Sequence, residues 1–288
     1  MRHGHTQAGT VFAVPHARTV VATSVAVSRM VFRHRQEVQV NATHDPAKPP
    51  LAGRTALVTG GGRGLGEAIC EELAQHGAHV VVADLDGDRA AAVAQRLERH
   101  GGQAVGRPLD VRDEASVLQV VHDARESLGD LDVIVNNAAI DVTAPIDDVS
   151  VDAWQQVLMT NLFGPYLMCY AAVPMMKARG NGHIVNIAST ASKRAWPNAS
   201  AYHATKWGLL GLSHALHAEL RPSGVRVSAI VAGGMRTPFL LDRFPDIDED
   251  TLQPPEHVAA AVRFVLTQPP GTVVPELMVL PMKETSWP

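Results

Sequence analysis

Cysteine is nearly absent: Cys70 and Cys169 are the only two in 288 residues. A disulfide-stapled secreted scaffold needs a denser framework, and a Cys-based zinc ribbon needs more thiolates, so both are excluded. Each cysteine falls in an apolar, helix-like stretch and reads as a reduced core residue. Aromatic residues are also scarce, at 5%. Long apolar runs are missing from the N-terminal part. Its best candidate, residues 20–27, is eight residues long and broken by Thr23 and Ser24, too short to cross a bilayer and weak as a signal-peptide core. What remains is 46% hydrophobic and 19% charged, with a mean hydropathy of +0.01, the profile of an ordinary soluble globular chain.

A basic surface is missing too, once the charge is mapped. Residues 1–50 hold six Lys/Arg against two acids, which leaves 19 basic and 27 acidic residues in 51–288, a net −8. A folded body of that sign offers no broad surface to nucleic acid. The first fifty residues carry five of the 14 histidines but no sustained period, and no paired metal-ligand spacing. They read as a disordered N-terminal extension, with Met30 the more natural start; an Arg-rich, acid-poor leader is also compatible with a transit peptide. No metal and no membrane partner are expected, and a cytoplasmic location is.

From residue 51 the texture changes. Apolar runs at 55–59 and 79–83 read as buried strands, followed by strands at 103–108, 132–136, 183–188 and 225–231 and a last one near 277–280. Between them, 65–76, 88–100, 113–128, 151–179 and 200–221 read as helices. Strict alternation of apolar strand and amphipathic helix predicts an α/β fold: one Rossmann-like, doubly wound parallel sheet of about seven strands, with helices on both faces. Residues 51–288 show no internal repeat and no linker, so they are expected to be one domain.

The first strand runs into Thr59-Gly60-Gly61-Gly62-Arg63-Gly64-Leu65-Gly66 and then into a helix. Glycines at that junction permit a tight turn and close backbone approach to a pyrophosphate, with the helix N-terminus facing the anion. The second strand ends at Asp84. A carboxylate there can accept from both ribose hydroxyls of an adenosine and would repel a 2′-phosphate, which favours NAD(H) over NADP(H). Arg63 pulls the other way, because a cation in the glycine turn could pair with that phosphate; Asp84 is the stronger influence, since Arg63 can swing into solvent.

Further along, Tyr202 and Lys206 stand one helical turn apart on one face. Ser189 ends the strand before them, and Asn136-Asn137-Ala138 ends the fourth strand. Strand C-termini line the ligand crevice of an open parallel sheet, which puts Ser189 and Asn136 on the cofactor side. Asn161 falls within the long 151–179 helix.

Taken in order, these segments, with Asp110-Val111 and the Ala-Gly-Gly-Met-Arg-Thr-Pro run at 232–238, resemble the short-chain dehydrogenase/reductase family from Thr55 to about Pro238. The resemblance implies an NAD(H)-dependent oxidoreductase interconverting a secondary alcohol and a ketone. Tyr202 would be the general acid/base, Lys206 would lower its pKa and hold the nicotinamide ribose, Ser189 would hold the substrate oxygen, and Asn161 would hold a relay water. An ordinary phenol, with a pKa of about 10, is a poor base near neutrality without such help. The implied cofactor set is Thr59, Gly60, Gly62, Arg63, Gly64, Leu65 and Gly66 in the turn, then Asp84, Asp110, Val111, Asn137 and Ala138. Tyr202, Lys206, Gly233 and Thr237 complete it. Three positions depart from the family pattern: Ala139 for glycine, Ala188 for serine, and Ala232 for proline, the last putting the nicotinamide loop in doubt.

For the substrate, 239–241 and Phe244 with Met235 and Trp196 suggest a mainly apolar pocket, in which Asp141 and Arg243 are the nearby charges. A 3-oxoacyl reductase is one version of this activity, though an acidic body gives an acyl carrier little to dock on. A non-catalytic cofactor-binding scaffold is the alternative, against which the intact Asn161, Ser189, Tyr202 and Lys206 argue. The helices 151–179 and 200–221 resemble those with which the family builds homodimers and homotetramers.

Overall fold

The apolar runs pair side by side into one parallel sheet. The computed structural model describes Met1 and residues 48–284; the reading of the leader lies, but for Met1 and its last three residues, outside them. The strands are β1 (Thr55–Thr59), β2 (His79–Asp84), β3 (Gln103–Pro108), β4 (Leu131–Asn136), β5 (Gly182–Ser189), β6 (Val225–Ala232) and β7 (Glu276–Val279). Their spatial order is β3-β2-β1-β4-β5-β6-β7, every pair parallel. The expected doubly wound sheet with helices on both faces is therefore what the chain forms.

Alternate strand residues feed two separate apolar layers. Val58, Val82, Val135 and Val185 face α1 (Gly64–Gln75), α2 (Gly87–Arg99) and a later helix, α8 (Pro255–Leu266). Leu57, Val81, Ile134 and Ile184 face α3 (Glu114–Leu128) and α5 (Gly164–Arg179) on the other side. Each fully buried Val, Leu or Ile contributes about 1.5–3 kcal/mol, so both layers must be filled for the sheet to stand. Cys70 lies in the first layer and Cys169 in the second, and burial pushes both thiols up.

Two local features depart from expectation. The 151–179 stretch is not one α-helix: α4 (Val151–Leu158) passes through a π turn, Met159–Phe163, before α5. A π turn inserts an extra residue per turn, and here it aims Asn161 at the backbone of Ile140. By length and composition the whole run could cross a bilayer, but Leu167, Met168, Ala172 and Met176 are spent in the core. The second departure is after β6, where a short α7 (Pro238–Leu241) and then α8 form in a segment without a predicted helix. Among the described residues, no group of three or more His, Cys, Asp or Glu is placed to hold a metal ion.

Candidate functional site

β1 runs outward to β2 and β3, and the chain then returns to β4 on β1's other side. The strand order reverses there, and a crevice opens beyond the C-terminal ends of β1 and β4. It is a cleft of about 770 Å³, walled at one end by Gly60, Gly64, Asp84 and Asp110 and at the other by Ser189, Tyr202, Lys206 and Trp196.

At the first end the glycine turn is required by contact. A Cβ on Gly66 would lie 2.0 Å from the carbonyl oxygen of Gly60, and Gly60 itself has φ +62°. The N-terminus of α1 has no side-chain cap, so its first N–H groups are left for an anion. Asp84 is fixed by its neighbours: Oδ2 accepts from Gly62 N–H at 2.9 Å and Oδ1 from Asp86 N–H at 3.0 Å. Ionised carboxylate oxygens retain further acceptor capacity for ribose hydroxyls. Asp110 lies along the same wall, its carboxyl held below the usual carboxylate range by hydrogen bonds from the Arg112 side chain. Arg63 and Arg89 also line this end, Arg63 facing Asp242 at 3.5 Å and Arg89 facing Asp86 at 3.0 Å. A glycine cradle, an uncapped helix start and a strand-end carboxylate together fit a dinucleotide.

At the other end, Ser189 closes β5 and Tyr202 and Lys206 come from the first turns of α6 (Ser200–Leu220). Tyr202 and Ser189 face the same end of the cleft, and burial pushes the phenol up to about 12. Lys206 Nζ donates to the Ile187 carbonyl at 2.7 Å, and burial brings its ammonium down to about 8. Ser189 Oγ accepts from Ala191 N–H at 3.1 Å, which fixes the turn after β5. Asp141 Oδ2 receives Arg243 Nη1, while its Oδ1 is buried without a partner; burial raises its carboxyl. Arg243 lies over the rings of Phe239 and Phe244, with centroid distances of 4.4 and 5.4 Å.

Not every candidate reaches the cleft. Thr59 is buried, and its Oγ1 accepts from the N–H groups of Asn137 and Ala138 at 3.1 and 3.0 Å. Asn137 Nδ2 returns the brace to the carbonyls of Thr59 and Gly60. These two therefore tie the glycine turn to the end of β4, although Asn137 also touches the cleft. Gly62 acts through its N–H on Asp84 and is not part of the wall. Asn136, expected on the cofactor side, points instead into the sheet, where it donates to Asn186 at 2.8 Å. Asn161 is likewise behind the wall: its amide is engaged by Ile140 on oxygen and nitrogen and donates to Thr205 Oγ1 at 3.2 Å. Leu65, Val111, Ala138, Gly233 and Thr237 do line the cleft. Ala232 extends β6, paired with Ser189 and Val279, so the missing proline leaves the strand longer rather than the loop loose.

Several groups at the cleft are not marked by the sequence pattern, Arg89, Lys283 and Glu284 among them. Arg89 is an ordinary helix residue by pattern. Lys283 and Glu284 come from the C-terminal segment, and Glu284 Oε2 accepts from Gly234 N–H at 3.1 Å. No motif signals such a contact across 50 residues.

The geometry agrees with what the chain is similar to. Residues 54–248 match the profile of the short chain dehydrogenase family, and the chain belongs to that family of oxidoreductases. It is 39% identical over 195 residues to the trans-4-hydroxycyclohexanecarboxylate dehydrogenase of Sinomonas cyclohexanicum, covering 66% of this chain and 75% of that one. It is 33% identical over 232 residues to an uncharacterized oxidoreductase of Staphylococcus aureus, covering 81% of this chain and 99% of that one. A metagenomic short-chain oxidoreductase solved with NADP superimposes with a TM-score of 0.71 at 32% identity, over 81% of this chain and 99% of that one. A protein of Beutenbergia cavernae assigned as an NAD(P)-dependent gluconate 5-dehydrogenase, also with bound NADP, gives 0.70 at 33% identity, over 75% and 90%.

Proposed function

We propose that the protein interconverts a secondary alcohol and a ketone, with NAD(H) as the preferred cofactor. The observation that carries this reading is the meeting of Ser189, Tyr202 and Lys206 at one end of a cleft whose other end is a glycine cradle with Asp84. A bound nicotinamide supplies or accepts the hydride. Gly60, Gly64 and Gly66 with the start of α1 hold the pyrophosphate, Asp84 the adenosine ribose, and Asp110 and Val111 flank the adenine. Thr237 and Gly233 hold the nicotinamide end. Ser189 orients the substrate oxygen, and Tyr202 moves the proton at its hydroxyl. Lys206, cationic one turn away, favours the phenolate and offers its remaining N–H groups to a ribose. Asn161, its amide engaged by Ile140 and Thr205, stiffens the wall beside this relay.

The same rim suggests the substrate: a largely apolar body bordered by Ile140, Trp196, Phe239 and Phe244, with a hydrogen-bonding substituent near Asp141 and Arg243. The similarity to a dehydrogenase of a hydroxylated cyclohexanecarboxylate supports a compact alicyclic alcohol as a first probe. A second reading, NADP(H) use, draws on Arg63 and Arg89 at the adenosine end and on the NADP-bound structural relatives. We also infer a homodimer or homotetramer. Phe163, Tyr166 and Tyr170 form an exposed ladder with ring centroids 5.7 and 6.2 Å apart, with Trp207 also exposed on α6. Light scattering on the purified chain reads its order.

Tyr202→Phe tests the mechanism. Turnover falls about 10²–10⁴-fold while cofactor affinity stays nearly unchanged. A variant that keeps most of its activity removes Tyr202 from the acid/base role.

A further inference from the structure

The residue after the candidate acid/base is a buried histidine that the mechanism does not use. His203 is 8% exposed, and both its ring nitrogens are engaged. Nε2 faces the backbone N–H of Trp196 at 3.1 Å, and Nδ1 faces the carbonyl of Ala191 at 3.0 Å. A backbone N–H can only donate, so Nε2 is the bare nitrogen and Nδ1 carries the proton toward Ala191. Its ring also packs edge-on against the Trp196 indole, centroids 4.2 Å apart and planes at 74°. Trp196 in turn forms part of the cleft wall at the end where Ser189 and Tyr202 meet.

We infer that His203 is a positioning residue that sets the width of the substrate pocket by holding Trp196 in place. The substrate part of this inference rests on the proposed oxidoreductase reading; the structural part does not. The turn carrying Ser189 has bonds of its own. Ser192 Oγ donates to the Ser189 carbonyl at 2.5 Å, and Lys193 N–H to Thr190 at 2.9 Å. The Trp196 N–H has His203. Loss of the Nε2 acceptor with the Ala191 bond kept therefore falls on the tryptophan wall and spares the serine turn, so it changes which substrates fit rather than how fast a bound one reacts.

Two variants separate the bonds. In His203→Asn the shorter amide keeps a donor for Ala191 and loses the acceptor for Trp196. In His203→Gln an amide oxygen can reach the place of Nε2. Both are made in a chain carrying Trp154→Phe, Trp207→Phe and Trp287→Phe, so that Trp196 is the only tryptophan and is excited selectively at the red edge of its absorption. With acrylamide as the probe, quenching of Trp196 rises in His203→Asn and stays at the parent level in His203→Gln. Equal quenching in parent and His203→Asn overturns the inference, and so does equal release in both variants, whether or not any substrate has been found. With a turned-over alcohol, His203→Asn raises KM roughly tenfold with kcat within about threefold, and the same change made on top of Trp196→Ala adds little. An equal fall in kcat with KM unchanged, or full additivity with Trp196→Ala, also overturns it.

Discussion

Lys206 Nζ stands 5.5 Å from the centroid of the Tyr202 ring, and burial drives the two groups in opposite directions, the phenol up to about 12 and the ammonium down to about 8. Burial alone thus favours a neutral phenol beside a cation that is easily discharged. A proton relay needs the reverse bias on the phenol, and the charge of Lys206 works in that direction.

The Lys206 shift has a measurable sign. Its folded pKa lies below the unfolded value, so between about 8 and about 10.4 the unfolded chain binds more protons, and stability rises with pH across that window. Above it the burial penalty is gone. Lys206→Met removes this dependence: the parent gains on the order of 3 kcal/mol relative to the variant between neutral pH and the top of the window. Denaturant titrations of both proteins at several pH values check it. Parallel curves would mean that Lys206 is solvated in solution.

Asp84 is expected to govern the choice of cofactor. Asp84→Ala removes the carboxylate that a 2′-phosphate would meet and also frees the Gly62 N–H it now holds. The ratio of kcat/KM for NADPH to that for NADH rises roughly tenfold or more, about 1.4 kcal/mol. An unchanged ratio would shift the discrimination to Arg63 and Arg89.

Gly66 has no room for a methyl group. Its Cβ would sit 2.0 Å from the Gly60 carbonyl oxygen and 2.7 Å from the Gly60 carbonyl carbon, both backbone atoms. Gly66→Ala lowers the melting temperature and loses cofactor binding, read by thermal unfolding with and without NADH. Retained binding would show that the turn relaxes.

Much of this was legible beforehand because the residues concerned are local. Buried strands between two helical layers are continuous apolar runs, so β1 and β2 begin where the pattern begins. The glycine turn and the Tyr202–Lys206 pair are each carried by a few adjacent residues. What escaped depends on contacts between distant segments. Asn161 sits in a π turn that no residue type announces, and its partner Ile140 is 21 residues away. Thr59 and Asn137 carry the family pattern, yet their side chains brace one another rather than the cleft, a division that only packing decides. Arg243 finds Asp141 across 102 residues. His203 reads as a filler between Tyr202 and Lys206 until the 190–199 segment folds back upon it.

Nicotinamide-linked turnover at the cleft between Asp84 and Tyr202 is open to direct measurement. The direct measurement follows nicotinamide absorbance of the purified chain against a panel of alicyclic alcohols, sterols, sugars and the matching ketones, with each redox form of NAD and NADP. Acyl thioesters complete the panel. NAD(H)-linked turnover of an apolar secondary alcohol or its ketone is expected, and its loss in Tyr202→Phe. Turnover that survives in Tyr202→Phe, or silence across the panel while NADH still binds, would contradict it.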